Sequence, residues 1–272
     1  MSAEPTPLRF DAAVLDHGAE GGSSFRLRLA APEWRGAGPG QFAMLSPGAR
    51  GGAERYDPLL PRPMAIYRSQ GAGRATAIEI LYKATGRGTQ LLTEVRPGER
   101  VRVVGPLGVA FPLPSTGQGA LLVGGGTGIA SLYELAARAR ERGPVSVLLG
   151  ARGAGDLMGR RDFEALGVAL DVATEDGSAG RRGLVTELLD AALAAGGDPL
   201  VYACGPTAMM RRAAELASAR GRRCLVSLEN HMACGFGVCL GCAVPRAEGG
   251  FALVCRDGPV LDARAVAWEG VP

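Results

Sequence analysis

Lysine is nearly absent from this chain: Lys83 is the single example, and the other basic side chains among its 30 Lys and Arg are arginine. Against 27 acidic residues this leaves a net charge of +3, too small to argue for a nucleic-acid or membrane-surface partner. The arginine bias, alongside abundant Ala and Gly, reads as genome composition and not as phosphate recognition. Aromatics make up only 5% of residues, so the cores must be built from Leu, Val, Ala and Ile. The 2 histidines offer no evident general base: His17 reads as a solvated loop residue and His231 as packing beside a cysteine-rich loop. No apolar run reaches the roughly 18 residues of a membrane helix. Met1–Phe10 lacks the charged and apolar regions of a signal peptide. These absences predict a cytoplasmic chain with reduced thiols, in which clustered cysteines bind metal and do not form disulfides.

What is present falls into three patterns, a length of 272 residues being a soft prior for about two domains. Residues 1 to about 115 hold short β-like runs (Phe25–Leu29, Gln41–Leu45, Met64–Tyr67, Ala77–Tyr82, Arg100–Val104) separated by Pro/Gly clusters. That spacing predicts an antiparallel barrel or sandwich, with Gly48–Gly52 as a mobile loop. After a linker at Ser115–Gly119, strands at Ala120–Val123, Val145–Leu149, Val168–Ala173, Leu200–Cys204 and Cys224–Ser227 alternate with helical stretches. The first of those helices is expected over Ile129–Arg142. The alternation predicts a parallel sheet covered on both faces. Residues 229–272 break it and hold four of the 6 cysteines.

The cysteine segment runs Cys234-Gly235-Phe236-Gly237-Val238-Cys239-Leu240-Gly241-Cys242, with Cys255 further on. This is C-x4-C-x2-C plus a distant fourth thiol, the spacing of plant-type [2Fe–2S] ligation. Gly235, Gly237 and Gly241 would permit the unusual φ values and close backbone approach that wrapping a cluster requires. Structural zinc on the same four thiols is the competing reading, but zinc favours two compact pairs. Here three ligands share one glycine-rich loop. Cys224 reads as core packing.

Two further regions carry anion-binding signals. Arg62-Pro63-Met64-Ala65 places an arginine at the head of a strand, where a guanidinium meets a diphosphate bidentately. Gly86-Arg87-Gly88-Thr89 opens a short helical run whose free N–H groups suit an anion. In the second region Gly124–Gly128 follows a strand and precedes a helix, the context of a phosphate-binding turn. Cys204-Gly205-Pro206 lies at a strand's carboxyl end, where open parallel sheets bind ligands. Each taken alone has a plain structural alternative: a surface charge, a tight turn, a buried thiol.

Together these segments resemble, over essentially the whole chain, the electron-transfer subunits of dihydroorotate dehydrogenase B, which belong to the ferredoxin–NADP reductase-like flavoproteins. Gly105–Gly108 and Ser227–Cys234 share in the resemblance. It implies an antiparallel FAD-binding β-barrel (1–115), an α/β NAD-binding domain with a parallel sheet (116–228) and a small C-terminal iron–sulfur domain (229–272). By the same resemblance Arg62, Pro63, Met64 and Ala65 contact FAD, Ile80, Leu81, Tyr82 and Lys83 line the flavin, and Gly86, Arg87, Gly88 and Thr89 meet its diphosphate. Gly124, Gly125, Gly126 and Thr127 face the nicotinamide nucleotide, and Cys204 lies near its reactive ring as the catalytic candidate. Cys234, Cys239, Cys242 and Cys255 hold the [2Fe–2S] cluster. The implied partner is an FMN-containing dihydroorotate dehydrogenase catalytic subunit, two of each in a heterotetramer, in pyrimidine biosynthesis.

Ala65 and Asn230 depart from the pattern, where a hydroxyl and a second acid are usual. Arg152, Arg160 and Arg161 could meet a 2′-phosphate, while Asp156 would disfavour one; the resemblance favours NAD. Three other assignments share features of this sequence. They are a subunit of a NADH-dependent ferredoxin:NADP oxidoreductase, an oxygenase reductase and a zinc-stabilised nucleotide-binding regulatory module.

Overall fold

The computed structural model describes residues 7–48, 57–71 and 73–272; positions 49–52 of the expected mobile loop lie outside them. The first sheet is formed by β1 (Leu8–Gly21), β2 (Ser24–Ala30), β3 (Phe42–Pro47), β4 (Arg62–Ala65), β5 (Arg68–Gln70), β6 (Ala77–Lys83) and β7 (Arg100–Leu107). Its order is β4-β3-β7-β1-β2-β6-β5, and every pairing is antiparallel. Alternate residues of β2, β6 and β7 (Leu27, Leu29, Ile78, Ile80, Val101, Val103) turn inward and fill the core. The short helix α1 (Arg87–Thr93) follows β6.

β1 has no counterpart among the sequence-predicted strands. Its second half is rich in charge and glycine, so propensity does not announce it. Partners on both sides hold it instead: its first half pairs with β7 and its second with β2. His17, expected in a solvated loop, is therefore a half-buried strand residue. Its Nδ1 lies 3.1 Å from the Val95 carbonyl and its Nε2 2.9 Å from the Tyr82 hydroxyl. The first contact needs an N–H on Nδ1, and the Tyr82 hydroxyl can donate to a bare Nε2, so the neutral ring satisfies both. Burial lowers its pKa, against the pull of the Val95 carbonyl and Asp16. Below about pH 6.5 the unfolded chain then binds the proton more readily than the folded one. Stability is accordingly full above that value and falls with acidity, at up to about 1.4 kcal/mol per pH unit. Thermal melts of wild type and His17→Gln from pH 5 to 7.5 should show this acid slope only in the wild type; equal slopes would refute the assignment.

The second sheet carries β8 (Ala120–Gly125), β9 (Val145–Ala151), β10 (Ala169–Thr174), β11 (Arg181–Arg182), β12 (Leu200–Cys204) and β13 (Cys224–Ser227), all parallel. Helices α2 (Tyr133–Ala139) and α3 (Arg160–Leu166) cover one face, α4 (Val185–Ala194) and α5 (Thr207–Ala219) the other. Strand order is β11-β10-β9-β8-β12-β13, so the chain reverses direction across the sheet at β8. The crevice beyond the ends of β8 and β12 is the switch point where such sheets bind ligands.

The helix expected over Ile129–Arg142 begins instead as a 3-10 segment, Gly126–Ser131, and only then becomes α2. Gly128 explains the tight winding, because its Cα is pressed against the Cys204–Gly205 backbone.

The C-terminal segment forms a hairpin of β14 (Ala243–Pro245) and β15 (Phe251–Leu253) and then β16 (Val260–Asp262). β16 pairs antiparallel with β13 and ends the second sheet. Through β16 the C-terminal segment thus shares a sheet with the α/β domain and is not a free-standing bead. Among the described residues no helix is long and apolar enough to cross a membrane.

Candidate redox site

Arg62 and Gly88, two residues 26 positions apart, meet in space. A Cβ on Gly88 would lie 2.7 Å from Arg62 Nε and 3.0 Å from Cζ, so the guanidinium rests where only a glycine leaves room. Arg62 Nη1 donates to the carbonyls of Leu60 (2.9 Å) and Pro61 (3.3 Å), which fixes the head of β4. Thr89 Oγ1 accepts from the N–H groups of Thr85 and Gly86, 3.0 Å each, and donates to the Gly86 carbonyl. That hydroxyl shapes the turn and is spent on it. Arg87 pairs with Asp57 at the surface. A cation and a glycine turn against one another are the chemistry a diphosphate needs, so this corner fits one.

On β6 the side chains divide. Ile80 and Tyr82 point into the barrel core, so neither can reach a ligand except through its backbone. Leu81 faces the α/β domain, and Lys83 Nζ lies 2.6 Å from Asp156 of that domain.

The β8 turn and the end of β12 are pressed together. A Cβ at Gly128 would fall 2.3 Å from the Cys204 carbonyl carbon, and one at Gly125 would fall 2.6 Å from Met209 Sδ. Gly124 and Gly125 are buried strand backbone, whereas Gly126 and Thr127 are partly exposed, and Gly126 has nothing within 4 Å of where its Cβ would be. These two face the open crevice. The Cys204 thiol is wholly buried, 3.5 Å from the Ser227 carbonyl. Burial, and secondarily the charge of Glu229, pushes its pKa up to about 12, which keeps the thiol neutral. Glu229, within the Ser227–Cys234 segment, opens to solvent on one side but is crowded on the others, and that loss of hydration raises its pKa.

Of the charged groups near β9, Asp156 is engaged by Lys83 and Arg160 by Glu164. Asp176, unremarked in the sequence, reaches over from the end of β10. Its Oδ1 accepts from the Ser178 N–H (2.9 Å) and hydroxyl (2.6 Å), and its Oδ2 faces Gly153 beyond the end of β9, where a Cβ would lie 2.6 Å from it.

The four cluster cysteines meet in two pairs. Cys242 and Cys255 are buried with their sulfurs 3.3 Å apart, and burial followed by this neighbour pushes Cys255 up to about 12. Cys234 and Cys239 form the outer pair. Burial works to raise Cys234, but the amides of Cys239, Phe236 and Val238 and the Cys239 thiol hold it down at about 6. Two thiol pairs with amides directed at sulfur have the donor set that a [2Fe–2S] cluster would require. Gly235 and Gly237 do take positive φ (+85° and +88°), but Leu240 (62°), not Gly241, provides the third left-handed residue of the loop. His231 is exposed, while Asn230 Nδ2 donates to the Ala243 carbonyl at 3.2 Å and braces the entry to the loop.

The loop also abuts the barrel. A Cβ on Gly235 would lie 2.6 Å from Met44 Cγ, and Met44 is paired with Pro63 across β3 and β4. The outer pair is therefore one strand from Arg62–Ala65. On its other side the loop displays Phe236, Val238 and Leu240, which are 56%, 74% and 61% exposed.

Comparison with known proteins adds the following. Residues 229–267 match the iron-sulfur cluster binding domain of dihydroorotate dehydrogenase B, and residues 122–215 match the oxidoreductase NAD-binding domain. The dihydroorotate dehydrogenase B (NAD(+)) electron transfer subunit of Geobacillus thermodenitrificans is 40% identical over 233 residues, 84% of this chain and 86% of that protein. Its counterpart in Desulforamulus reducens is 34% identical over 268 residues, 96% of this chain and 98% of that one. A solved structure of a NADH-dependent reduced ferredoxin-NADP oxidoreductase, from work on flavin-based electron bifurcation, superposes with a TM-score of 0.83. It is 27% identical, over 100% of this chain and 93% of that chain.

Proposed function

Since the chain belongs to the family of dihydroorotate dehydrogenase B electron transfer subunits, we propose that it links an FMN-containing dihydroorotate dehydrogenase catalytic subunit to NAD+, in an assembly of two of each. The chain is an oxidoreductase subunit with an iron–sulfur and a NAD-binding part. The observation that carries the reading is the pairing of the four thiols, with the outer pair's loop lodged on the barrel beside the strand expected to hold a flavin. When bound, FAD and the [2Fe–2S] cluster supply the redox chemistry, the cluster moving one electron at a time and the flavin exchanging a hydride with the nicotinamide.

Each group has a place in this chain. Arg62 and the Gly86–Gly88 backbone would hold the FAD diphosphate, with Pro63, Met64 and Ala65 beside the flavin and Leu81 and the β6 backbone along it. Gly126 and Thr127 would face the nucleotide phosphates across the switch point. Asp176, its Oδ1 fixed by Ser178, is placed to accept from a ribose hydroxyl and to repel a 2′-phosphate. Cys234, Cys239, Cys242 and Cys255 would ligate the cluster. Phe236, Val238 and Leu240 would bury themselves on the catalytic subunit, which brings the partner to the cluster's exposed side. Residues 1–115, 116–228 and 229–272 divide these tasks in a cytoplasmic enzyme of pyrimidine biosynthesis.

Co-expression with an FMN-containing dihydroorotate dehydrogenase tests this. A stable complex should form orotate with NAD+ and far more slowly with NADP+. Failure to associate, or no NAD+-dependent orotate, would overturn the reading.

A further inference from the structure

The barrel and the α/β domain are joined at one edge by a polar cluster that belongs to no cofactor site. Asp162, on α3, lies at its centre. Arg26 of β2 donates to Asp162 Oδ2 at 2.6 Å, the Tyr67 hydroxyl at 2.8 Å, and Arg68 of β5 reaches Oδ1 at 3.4 Å. On the barrel side Arg26 also binds Glu20 and Glu79, and Arg68 binds Glu79. Glu20 in turn accepts from the Gly159 N–H at 3.0 Å, one turn before Asp162. Every charge in the cluster has an opposite partner, and three of the contacts to Asp162 cross between domains. Surface ion pairs are worth little singly, but a network of half-buried, mutually oriented charges constrains geometry.

The cluster is also wired to both cofactor regions. Tyr67 stands two residues after the Arg62–Ala65 strand, is fully buried, and packs on Tyr133 at 4.7 Å between ring centres, the rings tilted by 33°. Tyr133 opens α2, which directly follows the Gly126–Ser131 turn at the switch point. Arg68 lies over both rings, 5.7 Å from Tyr67 and 5.5 Å from Tyr133. Asp162 thus touches Tyr67, and through it Tyr133, beside the strand and the turn that the reading above gives to the flavin and the nicotinamide.

We propose that Asp162, with Arg26 and Tyr67, is a positioning cluster that clamps the α/β domain onto the barrel and sets the width of the nicotinamide crevice. The proposal rests on the reading above of where the nucleotide binds. Without the clamp the two domains sample wider separations, and nucleotide must select the closed fraction, so its apparent affinity falls by that fraction. The step after binding is unchanged, because the closed form is the same.

The test uses the chain with its flavin and cluster loaded, following NADH oxidation by an artificial electron acceptor. Asp162→Asn keeps the shape and removes the charge; losing its charge-assisted bonds should raise the KM for NADH about tenfold. Flavin content, iron content and kcat should stay within about twofold of wild type, as expected when only ground-state access is altered. Tyr67→Phe deletes one hydroxyl and leaves the ring contact, so it stays informative if Asp162→Asn folds poorly; it should raise KM about threefold. Unchanged KM in both variants beside an active wild type, whatever happens to melting temperature, would reduce the cluster to a structural staple and overturn the proposal. A fall in kcat at constant KM would overturn it too. A wild type that does not oxidise NADH at all would instead overturn the nucleotide assignment, and the clamp with it.

Discussion

Exchange of Cys242 for serine is expected to abolish the iron–sulfur absorption and also to weaken the fold, whereas exchange of Cys239 should do only the first. The contrast follows from where the two thiol pairs sit. Cys242 and Cys255 are 1% and 2% exposed and belong to the same apolar cluster as Val226, Val244 and Leu253. A serine at 242 puts a hydroxyl among these groups in place of a sulfur that packs as a small hydrophobe, an exchange worth about 1–3 kcal/mol when the hydroxyl lacks a partner. Cys239 is exposed on the outer rim of the loop, so its replacement removes a ligand and little packing. Iron and acid-labile sulfide should fall to background in both variants, because a hydroxyl is a poor substitute for thiolate at iron. Thermal melts of the metal-free proteins should place Cys239→Ser beside metal-free wild type and Cys242→Ser several degrees lower. A Cys239→Ser protein with full iron and sulfide would remove Cys239 from the ligand set.

The iron–sulfur domain was legible because ligation fixes both residue type and spacing, and a four-thiol pattern leaves few readings. The barrel strands β2, β3, β6 and β7 were legible from inward-facing Leu, Val and Ile, and the α/β unit from its alternating rhythm. β1 was not, since ladder bonds to neighbours far along the chain hold a segment that its own composition does not favour. β16 was hidden for the same reason: three residues gain a place in the sheet only because β13 offers an open edge. Within the site, glycines marked where backbone approaches backbone, but not what they approach. That Gly88 lies under Arg62 and Gly235 under Met44 is a fact of three dimensions. So is the Asp162 cluster, whose members run from position 20 to 162 with no motif to join them. For Tyr82 and Cys204 the place along a strand could be read but the depth could not: they are 2% and 0% exposed.

Gly128→Ala should cut NADH-dependent activity about a hundredfold while leaving flavin and cluster in place. The added methyl would lie 2.3 Å from the Cys204 carbonyl carbon and 2.4 Å from both its oxygen and the Gly205 nitrogen. All three are backbone atoms at the end of a central strand, so no side-chain rotation relieves the contact and the end of β12 must separate from the β8 turn. Gly205 cannot retreat, because its own Cα backs onto the Gly125 carbonyl, 2.8 Å from where a Cβ would be. Overpacking of this kind typically costs about 1–3 kcal/mol. Concentrated at the floor of the nucleotide crevice, a penalty of about 3 kcal/mol corresponds to a loss of roughly a hundredfold in kcat/KM for NADH. The Arg62–Gly88 corner and the thiol pairs lie on other elements and should keep their cofactors. Gly126→Ala is the informative control: at φ +55° with open space around it, the methyl meets no protein atom. It carries only the left-handed backbone penalty of about 1–2 kcal/mol and projects into the crevice itself. It should raise the KM for NADH with a smaller drop in melting temperature than Gly128→Ala. Normal NADH kinetics in Gly128→Ala would show that the β8 turn and the Cys204 loop do not form the nucleotide floor.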